Sequence, residues 1–599
     1  MRLIERLASD AAYLKGAVRA LRATVPIAKN PTRIFPQLIC ELAQEYPDAP
    51  ALISARERFT YGDLAMRANR YARWALEQAV AKGDSVCLLM SGRPEFLALW
   101  IGITGVGGVV ALVNTNLTGV ALAHCINVVA PKHIIVEAGL VPSLNSARGH
   151  LACDAKIWLH GESEANFTRI DCEVERLSGD DLPQSERPRL TIEDRALYIY
   201  TSGTTGLPKA ANMNHYRLML ASHAFAGVMD TRASDRMYDC LPLYHTAGGL
   251  VATGALLLRG GSVVIRERFS AHEFWDDITK WDCTCFQYIG ELCRYLLNSP
   301  PHPRERVHRL RLACGNGLRS DIWREFKQRF RIPQILEFYA ATEGNVTFFN
   351  LDGTEGSVGR LPWWLAHRFP VKIVRFDAQH QQPVRDRHGF CIECDVDEAG
   401  EVIGSIERNP SKPGARFEGY ASKAETEQKV LHDVFRKGDI WFRTGDLMRK
   451  DRRGYFYFID RIGDTFRWKG ENVSTTEVEL ALGGFDGILE ANVYGVAVDG
   501  RDGRAGMAAV VAKDNLNLTA LRDYLAERLP DYARPLFLRI RHDIDVTTTF
   551  KQKKIDLVKE GFDPVRGSDP VYFNDPQRKA FVRMDDDLYQ AINAGRARL

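Results

Sequence analysis

Strong net charge, dense cysteine and a secretory signal are all missing from these 599 residues, and each absence removes a class of protein. Basic and acidic residues nearly balance, 79 against 76, for a formal net charge of +3. The field of the whole chain therefore points neither to a nucleic-acid binder nor to an acidic tail. Twelve cysteines spread thinly through the chain, with no signal peptide ahead of them, read as reduced thiols of a cytosolic protein. Cys391 and Cys394 form a lone CxxC, and Cys283 and Cys285 a CxC. Neither has a partner pair at ligand spacing, which argues against a structural zinc site. An uncharged stretch from Phe96 to Val113 carries Gly102, Gly105, Gly107 and Gly108 and is only marginally long enough to span a bilayer. It reads as a buried helix turning into a strand over Gly108 to Val113.

What is present is enough apolar material, 45% of the chain, for three or four structural units. Residues 1 to about 28 have apolar positions Leu3, Leu7, Leu14, Val18, Leu21 and Val25 at helical spacing, with Arg2, Arg6, Lys15, Arg19 and Arg22 elsewhere. Such a basic amphipathic helix suits a membrane interface, and it equally suits packing on its own protein. Thr60 followed by Asp63 marks a helix start before Leu64 to Val80, and Val86 to Met90 reads as a buried strand. Together they give a β-α-β rhythm. Residues 137 to 192 hold few periodic runs and read as a connection between subdomains.

The most informative stretch is Tyr198-Ile-Tyr-Thr-Ser-Gly-Thr-Thr-Gly-Leu-Pro-Lys-Ala-Ala211. Leu197 and Ile199 alternate with Tyr198 and Tyr200 as in a strand, and a loop follows that is built to hold an anion. Gly203 and Gly206 allow a tight turn, Thr201, Ser202, Thr204 and Thr205 supply hydroxyls, and Lys209 brings a mobile positive charge. The spacing is not that of a Walker A loop, because Ala210 stands where a magnesium-binding Ser or Thr is required.

This loop resembles the phosphate loop of the adenylate-forming superfamily. Further motifs occur in that superfamily's order. Leu312-Ala-Cys-Gly-Asn-Gly-Leu318 is similar to the segment lining the adenine face, which carries Gly315 and Asn316. Glu337-Phe-Tyr-Ala-Ala-Thr-Glu-Gly344 looks like the YGxTE motif with Ala340 in place of glycine. The resemblance implies adenine stacking for Tyr339, a phosphate or magnesium contact for Thr342 and magnesium binding for Glu343. Phe442-Arg-Thr-Gly-Asp-Leu447 matches YRTGDL, so Asp446 would hold the ribose hydroxyls. The segment from Asp460 to Val473 resembles the hinge, with Arg461 a second ribose or phosphate candidate, Gly463 or Asp464 at the pivot and Gly470 bordering the pantetheine tunnel. His245, in Leu241-Pro-Leu-Tyr-His-Thr-Ala-Gly-Gly249, sits on a turn before the apolar run Leu250 to Leu258. It is either an acyl-pocket residue, as in the superfamily, or a structural histidine.

Thr547-Thr-Thr-Phe-Lys-Gln-Lys-Lys554 resembles the superfamily's lysine motif, in the variant of the fatty acid transport protein (very long-chain acyl-CoA synthetase) branch. Val109 to Thr118 is similar to the same branch. The resemblance implies Lys551 as the catalytic lysine, with Glu343 and Thr205 as further catalytic candidates. After the amphipathic helix over residues 1–30, which is read from its own periodicity, the resemblance implies an α/β fold in two parts: a large multi-subdomain ATP- and acyl-binding domain over 31–460 and a small mobile α+β domain over 461–599. The expected activity is ATP-dependent long-chain or very long-chain fatty acyl-CoA synthesis through acyl-AMP, with ATP, magnesium and coenzyme A. The partners are then a fatty acid, ATP and coenzyme A, with no nucleic acid, and possible contact with the cytoplasmic face of a membrane through residues 1–28. Two other readings stand beside it: a membrane fatty-acid uptake protein with secondary ligase activity, and a ligase for another acid such as a bile or aryl acid. No carrier-protein domain follows residue 599, which speaks against a peptide-synthetase module.

Overall fold

A computed structural model describes residues 3–201, 207–366, 369–377, 380–407, 416–469, 471–499, 501, 503–544, 554–567, 569–597 and 599. The chain divides into two compact units. The larger comprises residues 1–360, 404–431 and 440–442, and the smaller residues 361–403, 432–439 and 443–599.

The larger unit is built on two sheets. In the first, the strands Lys156–His160, His133–Glu137, Ser85–Leu89, Val109–Leu112 and Arg195–Thr201 lie side by side and parallel, and Lys209–Asn214 closes one edge antiparallel. Their apolar residues are buried on both faces, as a parallel sheet covered by helices demands. The second sheet has eight described strands, of which six run parallel: Pro50–Ile53, Ser262–Ile265, Arg236–Asp239, Cys285–Ile289, Leu312–Asn316 and Gln334–Ala340. One hydrophobic core takes Val86, Leu88 and Leu197 from the first sheet and Met237, Val263 and Leu336 from the second.

Several local expectations carry through. Thr60 and Asp63 form a reciprocal capping box at the start of the helix Tyr61–Glu77, which satisfies two backbone donors that a helix start leaves open. The uncharged stretch becomes the helix Pro94–Gly105, buried along nearly its whole length, and then the strand Val109–Leu112. Among the described residues no helix is long and apolar enough to cross a membrane.

Residues 137 to 192 correct the reading of that region as a mere connection. They contribute the strand Lys156–His160 to the parallel sheet and the helix Val141–Arg148 to its face. Trp158 and Leu159 are the only large apolar residues in that strand that are fully buried, too short a run to show a period.

The N-terminal helix, Leu3–Lys29, packs on the larger unit through one face. Tyr13 and Ile27 are buried, Arg19 Nε donates to the Gly227 carbonyl at 2.9 Å, and Asp10 meets the buried Arg360 at 2.6 Å. Its other face leaves Leu7, Leu14, Leu21 and Val25 exposed, at 59, 48, 43 and 51%.

The smaller unit carries a second core. Its five-stranded sheet runs in the order Ile488–Val496, Ala505–Ala512, Phe537–Arg541, Val571–Asp575, Ala580–Arg583, with the helix Leu518–Arg528 crossing between the second and third strands.

Candidate active site

The anion-loop stretch forms an antiparallel pair of strands in which Thr201 stands directly opposite Lys209. Ser202, Gly203, Thr204, Thr205 and Gly206, which join them, lie outside the described residues. The strand after the loop gains a neighbour from far along the chain. Asn212 N donates to the Gly419 carbonyl at 3.0 Å, Ala421 N to the Ala210 carbonyl at 2.9 Å, and Ala211 bridges Tyr420.

That pairing brings in Tyr420, a residue to which sequence reasoning gave no role. Its hydroxyl donates to Glu343 Oε1 at 2.7 Å, and the Lys209 ammonium lies 5.7 Å from the centre of its ring. Burial, then the Glu343 charge, push the phenol well above its ordinary range, and a hydrogen bond with Thr201 acts in the opposite direction. Tyr420 thus gathers Thr201, Lys209 and Glu343 around one ring. The run Arg416-Phe-Glu-Gly-Tyr420 has no motif spacing that would have announced it.

Two further contacts hold the Thr342 to Gly344 turn. The buried guanidinium of Arg217 donates through Nη2 to the Thr342 carbonyl at 2.7 Å and the Gly344 carbonyl at 2.8 Å. The Thr342 and Thr246 hydroxyls lie 2.8 Å apart, which ties the His245 turn to the same place. His245 is half-buried, edge-on to the Tyr244 ring at 4.7 Å. The helix after it begins as a π-helix over Ala247–Ala252 and continues as an α-helix over Thr253–Leu257. Such wide turns are frequent at functional sites.

Tyr339 is half-buried at the end of the strand Gln334–Ala340, its ring 5.9 Å from Phe348, and Ala340 is exposed. Gly315 lies beside Glu337 in the neighbouring strand. A Cβ at Gly315 would come within 2.2 Å of the Tyr288 carbonyl oxygen, so only glycine fits. Asn316 follows, half-buried. The loop after it is fastened by Glu337, whose Oε1 accepts from the amides of Gly317 and, at 3.2 Å, Leu318, while Tyr288 donates to the other oxygen. Burial pushes this carboxyl up to about 8.

In the smaller unit, Asp446 and Arg461 are register partners in an antiparallel pair, with Arg461 Nε 3.6 Å from Asp446 Oδ1. Thr444 and Ile462 brace this pair: the Thr444 hydroxyl accepts from Asp446 N at 3.1 Å, and Ile462 N donates to the Gly445 carbonyl at 2.9 Å. Gly470 and Lys551 lie outside the described residues.

An AMP-binding enzyme family model matches residues 40–401, and a model of the AMP-binding enzyme C-terminal domain matches residues 477–551. The chain belongs to the AMP-binding enzyme family. Membership sets it among the adenylate-forming acyl-CoA ligases, the reaction class expected from the sequence. It is 42% identical over 564 residues to long-chain fatty acid transport protein 6 of Mus musculus, covering 93% of this chain and 90% of that one. It is 41% identical over 580 residues to long-chain fatty acid transport protein 1 of Homo sapiens, covering 94 and 88%. An anthranilate CoA ligase in complex with anthranoyl-AMP shares the fold with a TM-score of 0.73 at 21% identity, over 87% of this chain and 96% of that one. A Mycobacterium tuberculosis fatty acyl CoA synthetase does so with a TM-score of 0.61 at 23% identity, over 88 and 98%. The mixed α/β fold with a large N-terminal and a smaller C-terminal domain is therefore that of the family's known structures.

Proposed function

We propose that this protein joins a long-chain or very long-chain fatty acid to coenzyme A at the expense of ATP, releasing AMP and pyrophosphate. The observation that carries this reading is the Tyr420 assembly, which unites the anion-loop lysine with the Glu343 carboxylate. The relatives' name, long-chain fatty acid transport protein, supports the choice of acid.

A carboxylate is a poor acyl donor, and transfer to AMP makes its carbonyl electrophilic. Glu343 suits a magnesium ion. Tyr420 occupies its Oε1, and Oε2 makes no hydrogen bond among the described residues. Magnesium takes one or two such hard carboxylate oxygens and completes its shell with substrate phosphates and water. When bound, it would offset charge on the departing pyrophosphate. The chain's own residues do the rest. Lys209 and the Thr201 to Gly206 loop hold phosphate oxygens, with Thr342 beside them. Tyr339 stacks on adenine against the Gly315, Asn316 and Ala340 backbone. Asp446 accepts from the ribose hydroxyls and Arg461 adds a cation beside it. Lys551 offsets the charge that grows between acid and α-phosphate. His245 borders the acyl pocket, and Gly470 the thiol's path. The working domains are residues 31–460 and 461–599, with rotation near Gly463 and Asp464 between the half-reactions.

Exchange of labelled pyrophosphate into ATP across a panel of acids, with and without coenzyme A, tests this. Exchange with palmitate and longer acids, and thioester only when coenzyme A is added, is the expected result. Exchange with aryl or bile acids alone would replace the substrate class. Fatty-acid uptake without exchange would favour a carrier, the reading suggested by the word transport in the relatives' names.

The protein works at the cytoplasmic face of a membrane, which it meets through Leu7, Leu14, Leu21 and Val25, the open face of the N-terminal helix. Leu14→Glu with Leu21→Glu leaves the packed face intact. It should cut liposome flotation by about tenfold or more, because two buried leucines contribute a few kcal/mol. Undiminished flotation removes the helix from this role.

A further inference from the structure

Lys551 and Lys554 are three residues apart, and only the second lies in the described part of the chain. Lys554 immediately precedes the helix Ile555–Glu560 and is 20% exposed. Its ammonium donates to Thr475 Oγ1 at 2.9 Å and lies 3.3 Å from Glu479 Oε1 and 3.7 Å from Asp464 Oδ2. Burial works against the charge, yet Glu479, Asp464 and Asp460 outweigh it and raise the lysine's pKa. Asp460 grips the same place from the other side, accepting from Thr475 N at 2.7 Å, Thr475 Oγ1 at 3.1 Å and Thr465 Oγ1 at 3.2 Å. All these residues belong to the smaller unit.

The contacts straddle one glycine, Gly463. Asp460 precedes Gly463, while Asp464, Thr475 and Glu479 follow it. Gly463 has φ +102°, and a Cβ there would meet nothing within 4 Å, so its backbone conformation and not crowding calls for glycine. Helix Thr475–Gly483 begins at the threonine that both Asp460 and Lys554 hold. Lys554 is therefore committed to acids of its own unit, and its ammonium is not offered to a nucleotide.

We propose that Lys554, three positions after Lys551 in the sequence, is a positioning residue for adenylation: it fastens the start of helix Ile555–Glu560 to the Gly463 turn and the start of helix Thr475–Gly483. The separation in sequence is short: three residues of extended chain span at most about 10 to 11 Å. This inference rests on the reading of Lys551 as the catalytic lysine. A misplacement of about 1 Å is enough to slow a positioned reaction about 100-fold.

The test measures both half-reactions in the full-length chain: pyrophosphate exchange for adenylation, and thioester formation from supplied acyl-AMP. Lys554→Met should lower kcat for exchange about 10- to 100-fold with KM for ATP within about twofold, and leave the thioester step within about twofold. Lys554→Arg should restore most of the exchange rate. Glu479→Gln removes a partner's charge at constant shape and should shift exchange in the same direction. Equal loss in both half-reactions, or a raised KM for ATP at unchanged kcat, overturns the tether. If Lys554→Met does not fold, an unchanged exchange rate in Glu479→Gln overturns it as well. Lys551→Ala separates the two levels of the argument. It should abolish exchange and spare thioester formation, and if exchange survives, the catalytic reading of Lys551 falls whatever the Lys554 variants do.

Discussion

Each of the two sheets in the larger unit has a buried glutamate against it, and the two end on opposite sides of neutrality. Glu95, 3% exposed beside the first sheet, faces Arg67 and the Tyr71 hydroxyl, with His160 Nε2 3.8 Å away. Burial alone would raise it, but His160 and Arg67 outweigh burial and draw it down to about 2. Glu337, 2% exposed in the second sheet, has among the described residues only a tyrosine hydroxyl and two amides, and burial pushes it up to about 8. At Glu337 the neutral donors stabilise the carboxylate too little to offset its lost hydration, whereas at Glu95 the contact with Arg67 and His160 does so. The two groups therefore do different work. Glu95 is half of an ion pair that locks a helix, and Glu337 is a clamp on the loop beside Tyr339.

The largest expected effect comes from breaking the ion pair. Glu95→Ala leaves Arg67, 14% exposed, without its main partner and should cost about 3–5 kcal/mol in chemical denaturation. A loss below about 1 kcal/mol would erase the contrast.

The second experiment follows stability with pH. Glu337 has a folded pKa of about 8, above its ordinary 4.5, so its stabilising contribution is whole below pH 4.5 and is lost as pH climbs toward 8. Asp239, raised by burial to about 8, acts in the same direction. Glu95 does the reverse: its contribution stands above pH 4.5 and is lost as pH falls toward 2. Glu337→Gln keeps an acceptor for the two amides and should flatten the decline between pH 4.5 and about 8 by up to about 1.4 kcal/mol per pH unit. An unchanged slope would mean that Glu337 is ionised throughout.

The smallest stability effect is expected at Glu343, a third glutamate, 9% exposed and held among the described residues by one hydrogen-bond donor, Tyr420. Tyr420→Phe should cost about 1 kcal/mol of stability, yet slow pyrophosphate exchange about tenfold by releasing the carboxylate. Exchange at the parent rate would reduce Tyr420 to a packing residue.

The motifs were legible because their chemistry is local. A strand ending in glycines, hydroxyls and a lysine advertises an anion loop wherever it sits, and Thr60 with Asp63 forms its capping box three residues apart. Asp446 and Arg461 could be named separately, but their pairing needed the register of two strands. The strand Lys156–His160 was missed because a buried edge of two residues carries no period.

By itself, the sequence determined the α/β class, the order of the motifs and the kind of reaction they serve, since backbone preference and functional-group chemistry act over a few residues. Tertiary structure alone decided that Tyr420 stands between Lys209 and Glu343, that among the described residues Glu337 meets no cation where Glu95 does, and that one face of the N-terminal helix is covered and the other open. Those outcomes depend on which distant segments share a core, and the free energy that selects them comes from surfaces buried between segments far apart in the chain.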